Sequence, residues 1–264
     1  MDKFMDYALE NPPVYIALIL VCLAVIIVPL IISSRAQRFG ARDPKGNLTK
    51  KQQQAINVGA IIGAVFGDYH NNLQTKKFRS MTVIEGWDIH SPPSAKETIS
   101  WLIHQGHRAE FDQIKSRIDH ENDPIFASKR NREFAKNLRK SIPLLLKQQV
   151  IRSPEEISEI STLAWDMGRL VNITRWSYDL KYVTEEEAWE VIGIAYEEVL
   201  KTYDSWDDFA KGYLVGRALW GGTSGGIGIP FFNRVKIKKL QSIIRKTKSL
   251  LEHQASPWNQ TPFK

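Results

Sequence analysis

Ser-Trp-Asp-Asp-Phe-Ala-Lys-Gly-Tyr-Leu-Val-Gly-Arg-Ala-Leu-Trp, running from Ser205 to Trp220, reads as one helix with its own start and stop signals. Ser205 suits an N-cap, because a hydroxyl can accept from a free amide of the first turn, and Asp208 completes the opening turn. Gly221-Gly222 then ends it. Within the helix Trp206, Phe209, Tyr213 and Trp220 are three, four and seven residues apart, so one face presents large aromatics to another helix. Gly216 adds a close-approach position and Arg217 a cation beside that face, expected to pair with Asp166 or with a glutamate of Glu185 to Glu187.

The same grammar extends upstream. Thr184 with Glu187 opens a helix that ends near Tyr203. Ser153 as N-cap, Pro154 at N1 and Glu156 open another, expected to continue through Trp165, Leu170 and Ile173 to about Leu180. Ala109 to His120 forms a helix that stops before Asn122-Asp123-Pro124, and Ile125 to Ser141 alternates basic and apolar residues on a helical period until Pro143 interrupts. Ser94 with Glu97 caps a helix to about Gln105, closed by Gly106. Lys50 to Asn72 reads as one helix whose Gly59, Gly63 and Gly67 let a neighbour approach closely. No segment alternates convincingly with a period of two, so the chain is all-α, with one helical domain over residues 51–220.

Downstream, residues 221–230 form a glycine-rich linker. It lacks the Lys-Ser/Thr ending of a phosphate loop and follows a helix where such loops follow a strand. Residues 231–253 then form a basic amphipathic helix. Ile237, Leu240, Ile243, Ile244, Leu250 and Leu251 share one face, and Lys238, Lys239, Arg245, Lys246 and Lys248 lie mostly around the other. Those five cations are candidate membrane-surface contacts; the competing expectation is a helix packed on the domain. Residues 254–264 are expected as a tail.

At the other end, Val14 to Ile32 carries no charge and has the length of a bilayer-spanning helix. After a short tail at 1–12, residues 13–34 are assigned as a transmembrane helix and 35–50 as a basic linker. Arg35, Arg38, Arg42, Lys45, Lys50 and Lys51 face a single acid, Asp43, while the N-terminal flank offers Lys3 against Asp2, Asp6 and Glu10. Positive flanks stay in the cytoplasm, so the N-terminus is expected outside and the domain inside a single-pass inner-membrane protein. The acidic start, long apolar core and poor cleavage site argue against a signal peptide.

The net charge of +7 is concentrated at the juxtamembrane cluster and in the basic helix. That distribution suits an anionic lipid bilayer and gives no reason to invoke nucleic acid. Cys22, the only cysteine, lies in the span, which excludes disulfides, zinc-thiolate clusters and a cysteine nucleophile from the domain. The sequons at Asn47, Asn172 and Asn259 are chance matches in a cytoplasmic domain.

The richest polar constellation is Trp165, Asp166, Arg169, Arg175 and Trp176, with Tyr213 and Arg217 from the aromatic helix. Asp166 and Arg169 are neighbours at i, i+3. Charged groups among tryptophans are costly to bury unless paired, so an internal ion-pair network is one reading. An anion or partner site is the other, since arginine forks match phosphate and carboxylate. His104 and His107 have a metal-compatible spacing, but no third ligand is marked, and neither a metal site, a cofactor motif nor a catalytic triad is assigned.

Ala-Trp-Asp-Met-Gly-Arg at Ala164 to Arg169, Arg-Trp-Ser-Tyr at Arg175 to Tyr178, Glu-Glu-Ala-Trp at Glu186 to Trp189 and the block Ser205 to Trp220 resemble the bacterial domain-of-unknown-function 1266 family. Gly-Trp-Asp-Ile at Gly86 to Ile89 and Trp-Leu-Ile-His-Gln-Gly-His-Arg at Trp101 to Arg108 fit the same pattern. The resemblance runs from about Trp87 to Trp220, with the anchor and the basic helix outside it. It implies a bacterial protein with a helical domain and no particular activity. The two functional expectations are therefore a membrane-anchored protein-interaction module with an unidentified protein partner, and an enzyme or sensor that binds a phosphorylated or anionic small molecule.

Overall fold

Helix caps and aromatic faces assemble the chain around one central helix. In a computed structural model the described residues are 13, 16, 20, 21, 39–76, 83, 86–120, 122–221 and 230–264. Phe39–Lys264 form one compact unit, separate from Met1–Arg38. Among the described residues there is no strand, and the domain is all-α. The helices are α1 (Lys50–Ile56), α2 (Ala60–Phe66), α3 (Pro92–His104), α4 (Arg108–Lys115), α5 (Lys129–Lys147), α6 (Leu163–Asp179), α7 (Glu185–Thr202), α8 (Trp206–Trp220), α9 (Pro230–Glu252) and α10 (Pro257–Gln260).

Every residue of α6 from Leu163 to Ser177 is buried. The helices α2, α3, α7 and α8 and the 3-10 turn Asn57–Gly59 pack around it. Two small residues set the α6–α8 contact distance. A Cβ at Gly216 would lie 2.4 Å from Trp165 Cβ, and one at Gly168 would lie 3.0 Å from the Tyr213 ring. A helix enclosed on all sides must meet its charged side chains from within the protein, although Asn172 Oδ1, Thr174 Oγ1 and Ser177 Oγ have no hydrogen-bond partner among the described residues. This one carries Asp166, Arg169, Asn172 and Arg175.

The capping expectations hold for α7, where Thr184 and Glu187 form the reciprocal box, and for α8, where the Asp208 amide donates to Ser205 Oγ at 3.1 Å. Gly221 closes α8 at φ 57°. Elsewhere the boundaries move. The α3 cap is Ser91, with Ser94 at N3, because Pro92 and Pro93 occupy the positions where no amide donor is needed. The helix expected over 109–120 ends at Lys115, and α5 runs straight through Pro143 to Lys147. Buried Leu138 and Leu145 hold α5 on both sides of that proline. The span expected as one helix from Ser153 to Leu180 is split into a 3-10 turn, Glu155–Ser158, and α6. Tyr203 causes the break: its hydroxyl donates to Ser161 O at 2.9 Å and accepts from the Ala164 amide at 2.8 Å. Lys50 to Asn72 is likewise divided, and Gly67 at φ 73° ends α2.

The C-terminal segment expected as a tail belongs to the core. Trp258 is 2% exposed and stacks on Trp206 with ring centroids 5.0 Å apart. Its Nε1 donates to Asn57 O at 2.9 Å, while Asn57 Nδ2 donates to Pro257 O at 3.0 Å. Leu240, Ile244 and Leu250 of α9 are buried as well. Among the described residues no helix is long and apolar enough to cross a membrane. Most of the expected span at 13–34, and the linker at 222–229, lie outside the described residues.

Trp258→Ala should therefore destabilise the full domain by about 3 to 5 kcal/mol, the usual result of emptying a buried tryptophan site. Denaturant unfolding measures the loss. A change within about 0.5 kcal/mol, as at ordinary surface positions, would show that the C-terminal segment is peripheral.

Candidate functional site

The predicted constellation resolves into two clusters whose charges are matched internally and one separate cation; among the described residues the buried Trp165 Nε1 has no hydrogen-bond partner. At the first, Asp166 is fully buried in the opening turn of α6. Its carboxylate accepts from the His107 amide at 3.1 Å, the Arg108 amide at 2.9 Å and Arg108 Nη1 at 3.3 Å, and it is in close contact with Arg169 Nη2. His107 is the N-cap of α4 but gives that helix no side-chain cap. Asp166 supplies it from another helix, placing negative charge where free amides and the helix dipole favour it.

Three neighbours make that geometry available. Gly106 has φ 60°, and a Cβ there would fall 2.0 Å from Asp166 Oδ2. Glycine alone lets the α3–α4 turn pass this close to the carboxylate. Arg108 reaches backwards as well, donating from Nη1 to Leu102 O at 2.8 Å and from Nη2 to Ile103 O at 2.5 Å. One guanidinium thereby joins the C-terminal carbonyls of α3 to the acid of α6. Arg169 donates from Nε to Trp165 O at 3.0 Å and lies with its Cζ 4.5 Å from the Trp165 ring centroid and 5.3 Å from that of Trp87. Burial lowers the Arg169 pKa, and the adjacent Asp166 charge opposes the shift.

His107 completes this cluster. Its Nδ1 lies 3.0 Å from Arg169 Nη2, and its ring meets those of Trp101 and Trp220, each with centroids 4.9 Å apart. Burial, then the Arg169 charge, pushes its pKa down to about 3. The ring is neutral and its Nδ1 accepts from Arg169. Among the described residues no group of three or more His, Cys, Asp or Glu side chains is arranged to hold a metal ion.

The second cluster is built on Arg175, which is 1% exposed. Its Nε donates to Leu73 O at 3.1 Å, and its Nη2 lies within hydrogen-bonding distance of Tyr69 O at 2.5 Å, Asn72 O at 2.9 Å and Gln74 O at 3.1 Å. Burial pushes its pKa down to about 10 against the pull of Asp68 and Asp179. Arg175 thus collects the carbonyls of the loop after α2. Next to it Trp176 Nε1 donates to Asp68 Oδ2 at 3.2 Å.

Arg217 stands apart. Among the described residues it makes neither a hydrogen bond nor an ion pair, so the expected pairing with Asp166 or with Glu185 to Glu187 is not formed. Its Cζ lies 6.0 Å from the Trp165 ring centroid, and burial lowers its pKa. Tyr213 packs on Trp165 at 5.2 Å, and burial raises its phenol above the usual range. Of the five cations assigned to a lipid surface, Lys238, Lys239 and Arg245 are exposed, Lys248 is part-buried, and Lys246 Nζ donates to Ala64 O at 2.9 Å.

A family model described as protein of unknown function (DUF1266) matches residues 83–263. The chain belongs to this family. The match reaches further than the resemblance over Trp87 to Trp220, so α9 and the Trp258 segment lie within the family region and not outside it. No curated protein and no solved structure matches the chain. Gly106, His107 and Arg108 are the site residues that reading the sequence passed over as a site. A helix-ending glycine followed at once by an arginine was the available signal, but nothing local says which acid the turn meets.

Asp166→Ala should destabilise the domain by about 3 to 5 kcal/mol, because Arg169 is left buried without its partner. An unchanged thermal melt would mean that the carboxylate is dispensable to the fold. His107 sets a pH dependence: its folded pKa lies below the ordinary 6.5, so the stabilisation is complete above pH 6.5 and is lost as pH falls towards about 3. Between pH 6.5 and 5 this histidine should account for about 2 kcal/mol of lost stability. His107→Asn, which keeps an acceptor for Arg169, should show a correspondingly flatter slope in denaturant titrations; an identical slope would place the titration elsewhere.

Proposed function

We propose that this family member is a single-pass inner-membrane protein whose cytoplasmic helical domain serves as a protein-interaction module. The observation that carries the module reading is the internal use of the Asp166, Arg169 and Arg175 charges. Arg169 is matched by Asp166 and Trp165 O, and Arg175 by loop carbonyls. An enzyme or sensor acting through those two arginines would need them free for a substrate oxyanion. Buried arginines held this way rigidify the domain and define its surface.

The tether rests on the uncharged run Val14 to Ile32 and on the basic cluster that follows it. Ile16, Leu20 and Val21 within that run expose 56%, 60% and 60% of their surface, as lipid-facing side chains do. The α9 helix keeps Lys238, Lys239 and Arg245 outward, so electrostatic attraction to anionic lipid is available to it. Its buried leucines and Ile244 are engaged with the domain, which limits lipid contact to those charges.

Full-length protein should remain in the membrane pellet after alkaline carbonate washing, and a reporter fused after Lys264 should report a cytoplasmic location. Replacing Arg35, Arg38 and Arg42 together should weaken that orientation. Extraction by carbonate alone would remove the tether from the reading. Mild-detergent purification followed by cross-linking should retain a specific protein partner, and a chain that stays alone at native abundance would count against the module.

A further inference from the structure

Among the described residues the buried cationic side chains, Lys115, Arg169 and Arg175, all end on internal oxygens; Lys115 Nζ donates to Ser158 O at 2.9 Å. Arg217 breaks that pattern. It is part-buried, has no carboxylate or carbonyl partner among the described residues, and lines a cleft between α5, α8 and α9. Enclosing a guanidinium without a counter-charge costs free energy that a fold ordinarily avoids. The cleft supplies a place for the missing anion.

Its chemistry is one-sided. Lys140 contributes a second cation, Ile237 and Leu240 form an apolar wall, and among the described residues no acidic side chain lines the space. Lys140 is exposed and makes no hydrogen bond or ion pair among the described residues. The other two polar side chains are already engaged: Ser141 Oγ donates to Asn137 O at 2.8 Å, and Asn137 Nδ2 donates to Leu219 O at 3.2 Å. That second bond also covers a C-terminal carbonyl of α8, which would otherwise repel an anion. The free volume is about 40 Å³. Since one water needs about 10–15 Å³, the cleft has room for a group the size of a tetrahedral oxyanion.

We infer that this cleft is a binding subsite for the phosphate group of a phosphate monoester, with Arg217 as the fork that grips it and Lys140 as the second charge at the rim. A planar guanidinium can give two parallel donors to a phosphate, and a flexible ammonium adds a point charge beside it. The Trp165 ring, 6.0 Å from the guanidinium carbon, offers a weak attraction that leaves the charge unneutralised. A soluble phosphate ester and the headgroup of phosphatidic acid present the same group, and the cleft would take either whether or not the chain is tethered.

The test uses the full-length protein in neutral detergent micelles, with thermal unfolding followed by tryptophan fluorescence. Inorganic phosphate should raise the melting midpoint relative to chloride at matched ionic strength, as a ligand that prefers the folded state must. In the lipid arm, phosphatidic acid replaces part of the phosphatidylcholine added to the micelles. A shift with inorganic phosphate supports a soluble ester as the source; a shift with phosphatidic acid alone supports the headgroup. R217M should melt at or above the wild type without ligand, since an unmatched cation is gone, and its apparent affinity should drop at least about tenfold. K140M should weaken binding in the same direction, and it keeps the test decisive if R217M does not fold. No shift with either anion, or variants that respond as the wild type does, would overturn the subsite.

Discussion

The buried carboxylate of Asp166 is the constraint on which the rest of the domain depends. A charge with no exposure to water must be matched, and here the matching groups come from the start of α4 and from α6 itself. It caps α4, anchors Arg108 across the end of α3, and holds Arg169 between two tryptophans. Those contacts fix the α3–α4 turn against α6, and the close approach at Gly106 leaves no room to shift. A network of this kind is a weak source of net stability compared with apolar packing, but it is unforgiving of a missing member.

Arg175 performs a related task at the other end of α6. Its donors gather the carbonyls of an irregular loop that has no ladder of its own, so one side chain does what a turn of helix would otherwise do. With both arginines engaged, the central helix can be enclosed completely. That arrangement makes the interior of the domain a rigid scaffold. Arg217 is set apart by the same comparison, because it lines the cleft at the edge of the scaffold and makes no such hydrogen bond or ion pair among the described residues.

The Trp206–Trp258 stack ties the C-terminal segment to the start of α8. Asn57 is bonded to Trp258 and to Pro257 beside it, and α9 contacts α2 through Lys246. The region matched by the family model therefore includes the closing segment for a physical reason: without it Trp206, the first aromatic of α8, would face water. The basic helix leads into that closure and is packed by it.

Local chemistry alone determined the helical class, the caps at Thr184 and Ser205, the stop at Gly221, and the aromatic face of α8, because these depend on spacing within one or two turns. It also showed that Asp166 and Arg169 adjoin, since i, i+3 neighbours meet in any helix. Tertiary structure decided what the sequence could not express. Tyr203 reaches across to split the helix expected from Ser153, Ser91 takes the cap from Ser94, and Pro143 is carried within a helix that packing holds on both sides. The partners of the acid, Gly106, His107 and Arg108, lie about sixty residues away from Asp166, and the carbonyls around Arg175 about a hundred. Contacts of such range are set by how helices pack, and no periodicity within a single helix encodes them.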